Sequence, residues 1–528
     1  MDLHLFSLDI LTYVFDFLDD REKIYALSTD HNLHSRKILI KYNKAIRFHT
    51  IRNLFYFDQF TNIYVDDKIM DMALTRFILS RLKIDTNEVT KIYNKTNYHS
   101  FFPKNIRSIK IDKKKFVKSI PDIVEHITLN FNTEIKNYIP FNANVTHLTF
   151  GNYFNQDIKD CIPANVTHLT FGAHFNQDTK DCIPASVTHL TFGICFNRDI
   201  TNCIPASVVH LKFGDCFNQD IKNCIPASVI HLTFGDNFNR DIRDCIPASV
   251  THLTFGLYFS QKIKNCIPAS VTHLSINNIT SEDIEYVPST IKDLTITNAI
   301  YPSKQFCISS NITHLTFGSY FNRNIQDCIP INVTHLTFGS NFNRCIKNHC
   351  IPPNVTHLTF GNYFDRDIKY SIPKNVTHLT FGRNFNKDIR RCIPLTVINL
   401  TFGYFFNQDI KDCIPLGVTH LTFGDNFNRD VKECIPLGVT HLTFGRDFNQ
   451  NIKDCIPLGV THLTFGDGFN QNVKDCIPSR VTHLTFGRYF DQDVKDCIPL
   501  GITQLTVSTY YTKNIRDCVP FGTVIYKR

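Results

Sequence analysis

No glycine precedes Gly151, no proline precedes Pro103 and no cysteine precedes Cys161, although the 528-residue chain holds 21, 22 and 19 of these residues. Glycine and proline are the usual makers of tight turns, so the first hundred residues belong to a different structural regime from the rest. No apolar run reaches 18 residues, which leaves no candidate membrane-spanning helix. The opening Met1-Asp2-Leu3-His4-Leu5 is followed by Asp9, Asp16, Asp19 and Asp20. It therefore lacks the basic start and unbroken apolar stretch of a secretory signal, and a cytoplasmic or nuclear location is expected. A P-loop, a Rossmann glycine pattern and a single nucleophile–base set are missing too. The net charge of +8 is mild for this length. The densest basic stretch, Lys113-Lys114-Lys115 with Lys104, Arg107, Lys110 and Lys118, is local. A nucleic-acid footprint should run along a face, so neither nucleic acid nor membrane is an expected partner.

What is present is a repeat. Val145-Thr146-His147-Leu148-Thr149-Phe150-Gly151, two variable residues, then Phe154-Asn155-Gln156-Asp157-Ile158-Lys159-Asp160-Cys161-Ile162-Pro163 form one unit. The string returns at Val166, Val187, Val208, Val229 and Val250, and again from Ile312 to Val481. Pro163, Pro184, Pro205, Pro226, Pro247 and Pro268 are 21 residues apart. The beat slips by one at Pro352 and then holds from Pro373 to Pro520. Alternation in Thr-His-Leu-Thr-Phe predicts a short strand, with Leu148 and Phe150 on one side and His147 and Thr149 on the other. Gly151 would end the strand where the backbone turns, and Pro163 cannot donate to a ladder. A unit this short leaves no room for a long helix on its return side. Stacked units would place equivalent strands about 4.8 Å apart in a parallel sheet, and stability would come from neighbouring units.

The columns fit such a stack. Phenylalanine holds the position before glycine from Phe150 to Phe486, and a second position from Phe154 to Phe490. These predict two aromatic rows in the core. Asparagine after the second phenylalanine, from Asn155 to Asn470, is placed to form a ladder of buried amides on turn backbone.

Val145-x-x-Leu148-x-Phe150 resembles the L-x-x-L-x-L core of a leucine-rich repeat. More specifically, Phe154-Asn155 through Ile162-Pro163 and its copies resemble the FNIP repeat, a leucine-rich-repeat variant abundant in amoebae and their giant viruses. A viral source would place the protein in the host cytoplasm. The resemblance implies a mainly β solenoid, a leucine-rich-repeat-like stack of 21-residue units with a parallel sheet. Weaker echoes occur at Phe60-x-x-Ile63-x-Val65, Val89-x-x-Ile92, Ile106-x-x-Ile109-x-Ile111 and Val124-x-x-Ile127-x-Leu129, so the solenoid is expected to start near residue 55. The expected divisions are a small helical module over 1–45 and irregular connecting and capping repeats over 46–143. Repeats follow over 144–274, a degenerate patch over 275–310, repeats again over 311–502 and a C-terminal cap over 503–528. The patch is expected to bend the solenoid or form a local partner site. Lys527-Arg528 would protect the last edge.

In the N-terminal module, Leu8, Leu11, Val14, Phe15 and Leu18 fall at helical spacing, with Ser7 as N-cap. The run from Leu5 and Phe6 through Leu8, Ile10 and Leu11 to Leu18 is similar to the opening of an F-box, with Asp9 in place of the usual glutamate. That similarity implies an adaptor-binding surface of Leu5, Leu8, Ile10, Leu11, Val14, Phe15 and Leu18. Its partners would be a Skp-type adaptor and cullin, making the chain the substrate receptor of a ubiquitin ligase with a target protein on the concave face. The alternative is a non-catalytic scaffold in which these helices only cap the solenoid.

Other columns invite chemistry. Histidines from His126 to His483 suggest a metal array, yet a ladder alternating with threonine fits duplication of a strand-surface residue better, and structural metal sites mix ligands at specific spacings. Asp293, Asn399 and Gln504 replace histidine without disturbing the beat. Cysteines two residues before the proline, from Cys161 to Cys518, are expected to be reduced and to pack as small core residues. Cys195, Cys216 and Cys345 lie off that column and are candidates for exposed thiols. Triplets such as Asn144-Val145-Thr146 match glycosylation sequons but arise from the repeat, and no modification is expected. No metal, cofactor or catalytic residue is expected. The residues that vary most follow the Phe-Gly pair: Asn152, Tyr153, His174, Asp215, Asp236, Asn237, Tyr258, Tyr320, Arg383, Asp425, Arg446, Arg488 and Tyr489. Variable side chains on a rigid array are where a repeat protein encodes partner choice.

Overall fold

The computed structural model describes residues 46–47, 62–65, 107–111, 124–135 and 144–527, apart from 278, 281, 298–307, 309–310 and 347–349. The chain divides into two compact units, 1–261 and 262–528. In the first, ten short strands are described, from Ile46–Arg47 and Asn62–Val65 through Ser108–Ile111 and His126–Leu129 to His252–Thr254. In the second, thirteen are described, from His273–Ile276 to Val524–Lys527. Within each unit every strand pairs in parallel with the next. The register matches like with like, as in His147↔His168, Leu148↔Leu169 and Thr149↔Thr170.

Tight turns keep the strands to two to four residues. In one coil the Phe154 N–H donates to Gly151 O at 3.0 Å, the Cys161 N–H to Ile158 O at 3.0 Å, and the Val166 N–H to Pro163 O at 3.2 Å. These three corners use up the return, so extended backbone takes the place of a helix. The strand His147–Phe150 alternates half-buried and buried residues, as its sequence predicts. Inside, Phe150 stacks on Phe154 at 4.4 Å and on Phe171 of the next coil at 5.4 Å, while Phe154 meets Phe175 at 6.2 Å. Each such pair adds about 1 kcal/mol beyond the area it buries.

Gly172 is not there for its backbone angles, since Gly522 alone among the described glycines has a positive φ. A Cβ on Gly172 would sit 2.0 Å from Gly151 O, and one on Gly193 would sit 1.8 Å from Gly172 O. Glycine is required because successive coils approach too closely for a side chain. The left-handed position falls instead on the residue before the cysteine, as at Asp160 (φ 57°) and Asn202 (φ 57°). Aspartate and asparagine tolerate this region, whereas Tyr370 (φ 60°) and Arg391 (φ 57°) carry the strain.

The asparagine ladder forms: Asn155 Oδ1 accepts from Asn176 N–H at 2.9 Å, and Asn176 Oδ1 from Asn197 N–H at 3.0 Å. It is half-buried to exposed rather than buried, because Gln177 or Arg198 covers it by bonding the same residues from outside.

The solenoid starts earlier than expected, since Ile46–Arg47 already pairs with Asn62–Val65. Asn62–Val65 then pairs directly with Ser108–Ile111, and the echo at Val89 lies outside the described residues. The degenerate patch keeps the sheet: Asp293–Ile296 pairs with both neighbours in register, and a 3-10 turn at Asp283–Tyr286 replaces part of the return. The last strand, Val524–Lys527, extends the sheet rather than merely ending it. The expected helices of residues 1–45 lie outside the described residues.

Thr179 occupies the column that Ile158 and Ile200 fill with apolar atoms, and it is fully buried. Its Oγ1 has no nitrogen or oxygen partner and only a weak contact with the Cys203 thiol. Thr179→Val, which keeps the shape and removes the buried hydroxyl, should therefore stabilise the fold by about 1 kcal/mol in urea unfolding. An unchanged or lowered midpoint would contradict this account.

Candidate interaction surfaces

On the solvent-facing side of the strands the histidines stack ring on ring. From His126 to His252 the centroids are 4.0–4.2 Å apart and the planes nearly parallel. In the second unit His314 to His378 and His420 to His483 form similar runs at 4.1–4.2 Å, interrupted by Asn399. Rings that follow a threonine are held from the side, as by Thr146 Oγ1 at 2.9 Å from His147 Nδ1 and Thr167 Oγ1 at 2.9 Å from His168 Nδ1. Parallel rings set their nitrogens side by side instead of converging on one point. Among the described residues no group of three or more His, Cys, Asp or Glu is placed to hold a metal.

Partial burial, reinforced by the neighbouring imidazoles, lowers the pKa of His147, His168, His335 and His441. Two unit charges 4 Å apart repel by about 1 kcal/mol in water and about 4 kcal/mol at an effective dielectric constant of 20. Folding thus disfavours the charged form of these four rings.

The cysteine column is inert for a related reason. Cys182 Sγ donates to Lys180 O at 3.1 Å and Cys413 Sγ to Lys411 O at 3.1 Å. Burial, with aspartates alongside, pushes both thiols up to about 11. Thiolate chemistry is suppressed there. Of the cysteines off the column, Cys345 is exposed, whereas Cys195 and Cys216 are half-buried.

The variable pairs after Phe-Gly line a ridge at the C-terminal ends of the strands. Its backbone is a ladder of its own: His174 N–H donates to Asn152 O at 2.8 Å, Asn237 to Asp215 O at 2.8 Å, and Tyr258 to Asp236 O at 2.9 Å. Asn152, Tyr153, His174, Asp215, Asn237, Tyr258, Tyr320, Arg383, Arg446, Arg488 and Tyr489 are exposed on it. Asp236 and Asp425 are half-buried and do structural work, accepting the N–H of Leu257 at 3.2 Å and of Arg446 at 3.4 Å. Neighbouring side chains form clusters. Tyr153 stacks on His174 at 5.5 Å, and Arg383 lies over Tyr404 at 4.7 Å and over Phe405 at 5.5 Å. Arg488 lies over Tyr510 at 5.1 Å, beside an open cavity of about 470 Å³ that Asp467 and Thr509 also line. Tyr404, Phe405 and Tyr510 belong to this surface and were missed, although their aromatic character at a variable position was a visible signal.

The comparisons with known proteins bear on this geometry. The FNIP repeat model matches ten overlapping stretches, together covering 131–279 and 324–510. The chain belongs to the FNIP repeat family. An FNIP repeat-containing protein of Acanthamoeba polyphaga mimivirus is 26% identical over 167 residues, 28% of this chain. The match spans only 39% of that viral protein's length. Among solved structures, CroV588, described as a novel circular leucine-rich-repeat protein, is 28% identical with a TM-score of 0.62, covering 91% of this chain and 84% of that one. YopM from Yersinia enterocolitica is 11% identical with a TM-score of 0.39, covering 81% and 88%. The FNIP match and the CroV588 likeness agree with the parallel, leucine-rich-repeat-like stack seen here. No helix among the described residues is long and apolar enough to cross a membrane.

The histidine column makes stability depend on pH. Because the folded-state pKa values lie below the ordinary 6.5, the unfolded chain takes up protons that the native chain refuses. The contribution is complete above pH 6.5 and is lost as pH falls through the lowered values. Urea midpoints should therefore fall steadily from about pH 7 to about pH 5. Replacing His147, His168, His189 and His210, all held below the ordinary value, by asparagine as at Asn399 should flatten the profile; an equally steep one would rule the column out as its source.

Proposed function

We propose that this FNIP-repeat solenoid is a non-catalytic interaction scaffold that holds a target protein on its strand face and on the ridge beside it. The observation that carries this reading is the ridge, whose backbone is locked by hydrogen bonds while its side chains differ from coil to coil. Tyrosine and arginine, enriched among binding hot spots, recur on it at Tyr153, Tyr258, Tyr320, Arg383, Arg488 and Tyr489. Tyr153, Arg383, Arg488 and Tyr489 are held against neighbouring side chains, so they lose little further freedom on binding. The columns repeat their chemistry in every coil, which suits an extended contact better than an active site.

The finer reading, substrate receptor of a ubiquitin ligase, rests on the F-box-like run from Leu5 to Leu18. In it Leu8, Leu11, Val14 and Phe15 would meet a Skp-type adaptor, with cullin recruited through it. Both readings suit a cytoplasmic or nuclear protein.

Affinity capture with the full chain tests them together. Substituting alanine for Arg383, Tyr404, Arg488 and Tyr489 should reduce recovery of the target at least tenfold, since one hot-spot truncation costs about 2 kcal/mol. Equal recovery by both forms would remove the ridge as the binding surface. Leu11→Asp with Val14→Asp should abolish recovery of a Skp-type adaptor while leaving the target bound. If the intact chain recovers no such adaptor, the ligase reading fails and the scaffold reading stands.

A further inference from the structure

The corner that follows the proline column differs between the first unit and the late coils of the second. In the first it carries a small pair, as at Ala185-Ser186 and Ala227-Ser228, and the serine hydroxyl donates to the preceding coil, 2.7 Å from Val166 O and from Val208 O. In the second, Ala269-Ser270 keeps that pair and Ser289-Thr290, Ile331-Asn332, Pro353-Asn354 and Lys374-Asn375 vary it, before the pair becomes Leu416-Gly417, Leu437-Gly438, Leu458-Gly459 and Leu500-Gly501. Both changes run toward apolarity: the hydroxyl and its hydrogen bond are gone, and a large side chain stands in water. Glycine is not obligatory in this corner: a Cβ on Gly417 would come within 3.0 Å of Leu395 O, yet Thr396 fits the equivalent place and bonds Val376 O at 2.8 Å. Leu395, Leu416, Leu437 and Leu458 stand 83, 81, 82 and 76% exposed on consecutive coils. After Ser479 the column continues with Leu500 at 90% and Phe521 at 98%. The corners beneath are rigid, with the Val418 and Val439 N–H groups each 3.1 Å from Pro415 O and Pro436 O. Single exposed leucines are ordinary, but four on consecutive coils, resumed beyond Ser479, mark a contact surface.

We propose that this leucine stripe is a self-association surface, and that its occupant is the same stripe of a second copy of the chain. Two features select that occupant. The first is spacing. Leucines one coil apart repeat at about 4.8 Å, and an identical row interlocks with them, side chain into gap, with no accumulating mismatch. A partner helix repeats at about 5.4 Å per turn, so it slips by about 0.6 Å per coil and is half a coil out of step after four. The second is area. The five leucines and Phe521 expose roughly 800 Å², close to what one partner contributes to a standard specific interface. Because the same patch serves both copies, the pairing is isologous and closes as a dimer instead of propagating into a fibre.

Sedimentation velocity on the intact chain tests this. A dimer is expected at micromolar concentration. Leu416→Ala, Leu437→Ala and Leu458→Ala together, which restore the residue the first unit uses, should raise the dissociation constant at least about 100-fold. The far-ultraviolet circular dichroism and the urea midpoint should not fall, because these side chains lie outside the core and bury little within the chain. As a check independent of that variant's folding, a photo-crosslinking phenylalanine at Leu437 should give covalent dimer on irradiation, and one at Ala227 should not. An intact chain that stays monomeric at about 100 μM, a dimer that survives the triple substitution, or equal crosslinking from both positions would overturn the proposal. So would loss of flotation with phosphatidylcholine vesicles on the same substitutions without change in oligomeric state, which would assign the stripe to lipid.

Discussion

Backbone hydrogen bonds between successive coils hold every column of side chains at one repeat distance, and the rest of the structure is arranged around that spacing. It brings Gly193 so close to Gly172 O that a Cβ would lie 1.8 Å away, which explains glycine there better than any turn requirement does. It brings the phenylalanine rings to 5.4 Å and 6.2 Å, inside the range where aromatic faces attract. The same spacing forces the histidines to 4.0–4.2 Å, where neutral rings stack and charged ones repel. One distance thus favours some residues and penalises others, and each column takes the side chain that tolerates it.

A consequence is that chemistry becomes a property of columns. A catalytic centre needs different groups converging on one place, whereas a column offers the same group at every coil. The cysteines illustrate this: sulfur after sulfur donates to the carbonyl two residues back, and burial beside aspartates holds the thiols protonated. Distinctiveness survives only where the repeat is interrupted or where a position is free to vary. The ridge beside the strands is such a place, since its backbone is satisfied by ladders from Asn152 O to Tyr258 N–H in the first unit and from Ser319 O to Tyr489 N–H in the second, whatever the side chains are.

Much of this was legible in the residues alone. Alternation in Thr-His-Leu-Thr-Phe placed Leu148 and Phe150 inward, and the recurring asparagine pointed to the ladder from Asn155 onward. The features that escaped share a cause: pattern shows which residue recurs but not what it faces. Gly151 read as a turn residue because a glycine needed for φ and one needed for close approach look identical in sequence. The left-handed corner at Asp160 left a faint signal in its preference for aspartate and asparagine, which Tyr370 and Arg391 obscure. Asp236 resembled a free surface charge, yet its carboxylate accepts the Leu257 N–H. Leu416 follows Ile414 and Pro415 in one apolar run, and nothing in the pattern marks that the first two are buried and it is not.

The two units carry the lesson further. They share the strand, the aromatic rows and the amide ladder, and differ most at corners whose backbone bonds are already made. At Ser186 a hydroxyl reinforces the preceding coil; at Gly417 that reinforcement is absent and a leucine beside it faces water. A change that removes a hydrogen bond and exposes apolar surface works against folding in the isolated chain, and four coils carry it in the same direction. Tandem copying accounts for identical neighbours such as Leu437-Gly438 and Leu458-Gly459. It accounts less well for Leu395-Thr396 and Phe521-Gly522, where the apolar residue persists while its surroundings change. Persistence of exposed bulk across dissimilar coils is what a surface used for contact requires, and it is at such corners, not in the columns, that this fold has room to acquire a partner.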